Sequence, residues 1–394
     1  MSNTDRFSKR TDWTLTSNQL TETLASLRGN QPVLNLTESN PTACEFSYPT
    51  QDIISLLGCR ENVNYHPDSR GNLKAREAVC RYYAEKGFSV SPRQIFLTAS
   101  TSEAYSHLFR LLVNPGERVL FPCPSYPLFS FLGELNDVVM ETYPLVYDQQ
   151  WRVDFPRISQ ALDDTKVFVV VSPNNPTGSV ISSQETERIN SLCQQYDMAL
   201  VCDEVFSDFP FETTIQQKSF VENKDVLTFT LGGISKALGL PQMKLSWIVI
   251  NGPQDLVEPA CARLEIIADT YLSVSTPAQN AIPVWLSKRE AIQNEISLRL
   301  KANLEFLKDQ IQNREGCQLL TPQGGWSAVV RIPNRCSEEQ WVLKFLKEDL
   351  VLVHPGYFFD FDLQGYIIVS LLPPPHIFQE GIRRVLGRIE GITI

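Results

Sequence analysis

Val167-Phe168-Val169-Val170-Val171 is an unbroken apolar run, β-branched at four of its five positions, and a polar turn follows at once, Ser172 to Gly178. A strand with one face in water would alternate apolar with polar residues. A strand apolar at every position must be covered on both faces. The middle of the chain repeats this grammar. Gln94-Ile95-Phe96-Leu97 runs into Thr98-Ala99-Ser100-Thr101-Ser102, Val119-Leu120-Phe121 into Pro122 to Tyr126, and Ala199-Leu200-Val201-Cys202 into Asp203-Glu204. Helix-like segments lie between the runs, which makes this an α/β chain with a mainly parallel sheet covered by helices. In such sheets ligands lie beyond the carboxyl ends of the strands, where this chain has gathered its polar residues.

The last third has a different pattern. Ile292, Ile296, Leu300, Leu304, Leu307 and Ile311 recur at helical spacing and predict one long amphipathic helix over about 288–314. Short strands are expected near 326–332, 350–353 and 366–371, with a helix near 337–348. This is a smaller α+β unit, joined by the Asn35 to Pro41 segment from the start of the chain.

With 35 Lys+Arg against 45 Asp+Glu, the formal charge is −10, which argues against nucleic acid and anionic membrane as partners. No apolar stretch is long enough to span a bilayer, and MSNTDRFSKRTDWTLTSNQL has no apolar signal-peptide core. Nine cysteines at irregular spacings, none in CxxC, and four histidines without HxxxH or HExxH predict reduced thiols, a cytoplasmic address and no metal.

Several segments carry chemistry-bearing residues. Ser100-Thr101-Ser102 closes a strand and opens a helix, which is an anion site or simply an N-cap. Asp203, at a buried strand end, needs a cationic or hydrogen-bonding partner. Lys236, in Gly232-Gly233-Ile234-Ser235-Lys236-Ala237-Leu238-Gly239-Leu240, sits among small and apolar residues, so desolvation would make its amine nucleophilic; it reads equally as a snorkelling lysine beside a glycine turn. Ser172-Pro173-Asn174-Asn175-Pro176-Thr177-Gly178 needs no role beyond a turn. Tyr126 is a core aromatic or a stacking platform.

Together and in this order the segments resemble the class I/II aminotransferases, the aspartate-aminotransferase-like fold type I of pyridoxal 5'-phosphate enzymes. The resemblance rests on Asn-Pro-Thr-Gly at 175–178, Asp203 28 residues beyond Asn175, and Lys236 33 residues beyond Asp203. Ser39-Asn40-Pro41-Thr42 and Tyr65…Gly71-Asn72-Leu73…Arg76-Glu77-Ala78 extend it, so that it runs from about 33 to 372. It implies a large pyridoxal-phosphate-binding domain over 46–283 and a discontinuous small domain from 1–45 and 284–394. Lys236 would hold the cofactor as an aldimine and shuttle the substrate proton. Asp203 would pair with the pyridine nitrogen, Asn175 donate to the ring oxygen, Tyr126 stack on the ring, and Ser100, Thr101 and Ser102 hold the phosphate. Tyr65 would reach the phosphate of a neighbouring subunit, implying a homodimer with shared sites. The partners implied are a small-molecule amino donor and a 2-oxo acid acceptor, exchanged through a pyridoxamine phosphate form. Ser39, Trp326 and Arg331 are candidates for the substrate.

Three positions depart from the family pattern. Phe206 stands where a tyrosine usually donates to the ring oxygen, and Lys244 where an arginine usually meets the phosphate. Ile368, in Tyr366-Ile367-Ile368-Val369-Ser370, stands where an arginine usually meets the substrate α-carboxylate; Arg331 and Arg263 are the candidate replacements. Residues 268–277 contain no basic residue, which weakens the case for a dicarboxylic substrate. A lyase ending on the same fold is the alternative, and a ligand-sensing domain the reading from another class.

Overall fold

The computed structural model describes residues 6–27, 32–158, 162, 164–212, 219–312 and 314–391; the outer bounds of the expected small domain, 1 and 394, fall outside these. After β1 (Leu34–Asn35) come the strands of the large sheet: β2 (Ile95–Thr98), β3 (Arg118–Cys123), β4 (Val139–Asp148), β5 (Gln150–Val153), β6 (Thr165–Val171), β7 (Ala199–Asp203), β8 (Thr228–Gly233) and β9 (Ser246–Asn251). Their order is β2-β9-β8-β7-β6-β3-β4-β5. The β4-β3-β6-β7-β8 core is parallel, as expected of strands buried on both sides. In β6, Val167 to Val170 are each fully buried, and each such side chain contributes roughly 1.5–3 kcal/mol of transfer free energy.

Two strands break the parallel pattern. β5 pairs antiparallel with β4 across a tight turn, and β9 runs antiparallel between β2 and β8. The β8–β9 return is a hairpin-like closure, with Gly233 paired to Ser246 directly below the segment that carries Lys236. A Cβ on Gly232 would come within 2.5 Å of the Trp247 indole nitrogen, and one on Gly233 within 2.4 Å of Ser246 Oγ, so only glycine allows the two strands to close there.

The C-terminal part adds β10 (Gln318–Leu320), β11 (Ser327–Arg331), β12 (Val351–Leu352), β13 (His354–Pro355) and β14 (Tyr366–Ser370). β10-β11-β14-β13 form an antiparallel sheet, packed with the long helix Arg289–Ile311 and the helices Glu338–Asp349 and Pro375–Gly391. The molecule is thus α/β, with a large, mostly parallel sheet and a smaller antiparallel one. The strand expected at 350–353 is found at Val351–Leu352, and a further short strand follows it. Val351–Leu352 pairs in parallel with β1, while His354–Pro355 joins β14. β10 was not anticipated from the sequence, since three residues carry too short a period to stand out. Leu36 and the helix Gln19–Leu27 share one apolar cluster with the C-terminal helices, which ties the start of the chain to its end.

Candidate active site

The carboxyl ends of β2, β3, β6, β7 and β8 lie at one edge of the large sheet, and each leads into a segment singled out from the sequence. After β2, the helix Thr101–Leu112 begins with Ser100 as its N-cap, the serine hydroxyl accepting from the Glu103 N–H at 3.1 Å. The Glu103 carboxylate in turn accepts from the Ala99 N–H at 2.6 Å. Ser100, Thr101 and Ser102 are half-buried around a helix start, whose first-turn N–H groups lack intrahelical acceptors and carry the positive end of the dipole. Capping and anion binding are therefore compatible here, because Ser100 takes up the N–H of Glu103 and the two residues between remain at the helix mouth.

The two adjacent asparagines after β6 part company. Asn174 is buried and fully used: its amide donates to the Pro124 carbonyl and Thr177 Oγ1, and its oxygen accepts from Ser125. Asn175 is half-buried, and its Oδ1 meets the Ser327 hydroxyl of β11 at 3.5 Å. The first knits the β3 and β6 ends together, which leaves the second facing the site. This network of Ser125, Asn174 and Thr177, like Ser327, was not legible as a site feature, since its members meet only in three dimensions.

Asp203 closes β7 and is 7 % exposed. Its carboxylate accepts from Tyr105 Oη at 3.2 Å and from the Val205 N–H at 3.1 Å. Burial pushes its pKa up to about 6, against the two hydrogen bonds and the charge of Lys236, which favour ionisation. Tyr105 stands one turn into the helix that opens with Thr101, on its inward face. The sequence marks that helix by its start, and nothing in it singles out the tyrosine.

Lys236 lies in the short helix Ile234–Ala237 that follows β8. Its amine sits 4.9 Å from the centroid of Trp326 and 5.5 Å from that of Phe206. Burial lowers its pKa and the charge of Asp203 opposes that shift, so the two groups share one electrostatic environment. Phe206 and Trp326 meet edge to face at 5.4 Å, and Trp326 also meets Phe209 at 5.3 Å. Tyr126 is 39 % exposed, edge-on to Phe129, and its hydroxyl also feels the charge of Asp203.

The other sequence candidates are more exposed, and of these Lys244 lies two residues before Ser246, the partner of Thr98, which sets it beside the Ser100 helix start. Tyr65 is 59 % exposed in the segment between residues 64 and 68, and Ser39 is exposed just before the Asn40-capped turn. Lys244 is exposed, in the left-handed region at φ 49° behind the Pro241–Met243 turn. Arg331 lies at the far end of β11 from Ser327, donating to Tyr366 Oη at 3.1 Å and to Gln318 at 3.3 Å. Arg263 donates to the Pro259 carbonyl of its own helix. Neither arginine is brought beside Lys236.

The residues that do converge fit pyridoxal phosphate by their chemistry. Asp203 is a buried carboxylate whose direct partners are neutral, a ready counter-ion for a protonated ring nitrogen. Lys236 is a desolvated amine suited to a carbonyl, and the Ser100–Ser102 helix start suits a phosphate.

Residues 31–373 match the family model described as aminotransferase class I and II. The chain is 27 % identical over 369 residues to glutamate-pyruvate aminotransferase AlaA of Haemophilus influenzae, covering 91 % of this chain and 90 % of that protein. It is 25 % identical to tyrosine aminotransferase of Mus musculus, covering 90 % and 80 %. In fold it is similar to alanine aminotransferase from Pyrococcus furiosus, with a TM-score of 0.88 at 24 % identity over 98 % of this chain and all of that one.

Proposed function

We propose that this chain, which belongs to the class I and II aminotransferase family and is a pyridoxal-phosphate-dependent transaminase, works through Lys236 as the cofactor lysine and Asp203 as the partner of the ring nitrogen. The observation that carries the assignment is that the buried Asp203 closes β7 and Lys236 follows the adjacent β8, its amine set between Phe206 and Trp326. The names of the relatives support an amino acid as donor and a 2-oxo acid as acceptor, and nothing in them favours the lyase alternative.

When bound, pyridoxal phosphate supplies the carbonyl that takes up the amino group and the ring that withdraws electrons from the substrate. Asp203 would hold a proton on the ring nitrogen, because a cation beside it would supply the charge partner that burial otherwise denies it and so keep the carboxylate ionised. Tyr105 and the Val205 N–H orient that carboxylate. Asn175, just beyond β6, would hold the ring oxygen, and Tyr126, just beyond β3, would cover the ring. Lys236 Nζ, its pKa lowered by burial against the charge of Asp203, would hold the cofactor and would take the Cα proton and return it. Ser100, Thr101 and Ser102 would hold the phosphate, with Lys244 adding charge. Ser39, Trp326 and Arg331 are the candidates for substrate contact, with Trp326 alone beside Lys236. The reading extends to a cytoplasmic homodimer in which Tyr65, exposed in its own subunit, completes the neighbouring site, and to a division at 46–283 against 1–45 with 284–394. The cluster shared by Leu20, Leu36 and the C-terminal helices supports that division. Among the described residues no helix is long and apolar enough to cross a membrane.

The test is a half-reaction followed by absorbance. Alanine, glutamate or an aromatic amino acid, added without an acceptor, is expected to bleach the visible band of the loaded protein, and a 2-oxo acid to restore it. Release of ammonia or a side-chain fragment without that reversible change would replace transamination by elimination. A second expected result concerns Phe206. F206Y returns a phenolic donor beside Lys236, and one hydrogen bond to a phenolate oxygen moves the acid–base midpoint of the visible band down by about one unit. An unmoved midpoint would mean that position 206 does not face the ring oxygen.

A further inference from the structure

Resting on the assignment of Lys236, we propose that the substrate pocket reads the amine and the apolar body of its donor and makes no demand for an α-carboxylate, so that primary amines lacking that group react on a par with amino acids. The wall facing the strand ends is one face of the small sheet. β11 and β14 place Ser327 opposite Ser370, Val329 opposite Ile368 and Arg331 opposite Tyr366, and β13 places His354 opposite Ile368 from the other side. Directly paired residues of an antiparallel sheet share a face, and the end of this face that reaches the site is the end at Ser327, beside Asn175.

A carboxylate taken into a dry pocket needs a cation or several N–H donors. This end of the wall offers hydroxyls, and that of Ser370 already accepts the Leu372 N–H at 3.2 Å. Ile368 is 2 % exposed and packs in one cluster with Phe168, Phe359 and Tyr366. His354 is held neutral, its pKa lowered to about 4 by burial. The cation on this face, Arg331, is four residues from Ser327, about 13 Å along the strand, and is engaged by Tyr366 and Gln318. Arg299 donates to the carbonyls of Cys44 and Leu372, and Arg263 to that of Pro259. Lys236 itself is committed to the cofactor.

The consequence is one of discrimination. A site built to hydrogen-bond a substrate group rejects an analogue lacking it by about 10⁴–10⁵, because its buried polar groups are left unpaired. Two serines backed by the buried Ile368 and Val329 leave no charge unpaired when the carboxylate is missing, and desolvating the carboxylate is itself unfavourable. The reaction balances as R–CH₂–NH₂ plus a 2-oxo acid giving R–CHO plus an amino acid. The donor's C–N bond breaks as its carbon is oxidised to the aldehyde, and the acceptor's carbonyl carbon is reduced as it gains the nitrogen.

The experiment uses the protein loaded with pyridoxal phosphate and compares L-phenylalanine with 2-phenylethylamine in single-turnover half-reactions. The expected second-order rate constants agree within about tenfold; a preference for phenylalanine of a thousandfold or more overturns the proposal while leaving the transaminase assignment standing. Calorimetric binding of 3-phenylpropionate against 3-phenylpropanamide gives a readout independent of turnover. Equal or weaker binding of the carboxylate is expected, and carboxylate binding a hundredfold tighter overturns the proposal even if no donor reacts, an outcome that would instead sink the transaminase assignment. I368R places a cation on the wall and is expected to shift preference toward phenylalanine at least about a hundredfold. Should that variant fail to fold, the wild-type pair decides.

Discussion

Replacing Lys236 with alanine is expected to lower turnover by at least about 10⁴-fold, abolish covalent attachment of the cofactor, and leave the cofactor-free protein no less stable. The first two effects follow from one amine holding the carbonyl and moving the proton. The third follows from where the amine sits. It sits between Phe206 and Trp326, where burial lowers its pKa, so removing it relieves an unfavourable desolvation. Alanine also favours the short helix Ile234–Ala237. Absorbance of the loaded protein and thermal unfolding of the cofactor-free protein measure the two sides separately. A lysine that merely snorkelled beside the Gly232-Gly233 turn would give the reverse pair, with activity kept and stability lost. Partial recovery of K236A turnover by a small added amine would tie the loss to the missing nitrogen.

The strand ends were readable because β6 and β7 must be covered on both faces, which puts their first polar residues at the sheet edge. The long helix was readable for a similar reason: the 4-4-4-3-4 spacing from Ile292 to Ile311 admits one solution, and Arg289–Ile311 is helical. What escaped depends on pairings distant in sequence. Val351–Leu352 leaves its expected sheet because β1 offers it parallel partners, and nothing in either dipeptide announces the other. Tyr105 becomes a partner of Asp203 through a helix start set by Ser100 and a strand end 98 residues further on. Arg331 shows the limit most clearly. Alternation puts it on the same face as Ser327 and Val329, but the register with β14 sets it opposite Tyr366, away from the site. Composition and period give the face; only pairing gives the position along it.

Asp203→Asn is expected to separate stability from function most sharply. In the cofactor-free protein the carboxylate is buried with a phenol and one N–H as direct partners, and its pKa rises from 3.8 to about 6. A carboxyl whose folded pKa is raised binds its proton more tightly folded than unfolded. The stability it confers is therefore present at acid pH and is lost as pH rises through the folded value near 6. A shift of about two units corresponds to roughly 3 kcal/mol at most. D203N carries no titrating proton, can still accept from Val205, and can donate to Tyr105. Cofactor-free D203N should therefore exceed wild type by about 1–3 kcal/mol at pH 8, with the gain vanishing toward pH 4, as read from denaturant unfolding at a series of pH values. With cofactor the sign reverses. The ring nitrogen loses the charge that keeps it protonated, and turnover should fall by about 10²–10⁴-fold with weaker cofactor retention. If Asp203 were instead an ordinary cap or structural ion-pair residue, D203N would be less stable at pH 8 and turnover would change little. A carboxylate that opposes folding above pH 6 is what a cationic ligand beside it relieves, because the ligand turns an unfavourable burial into a paired charge.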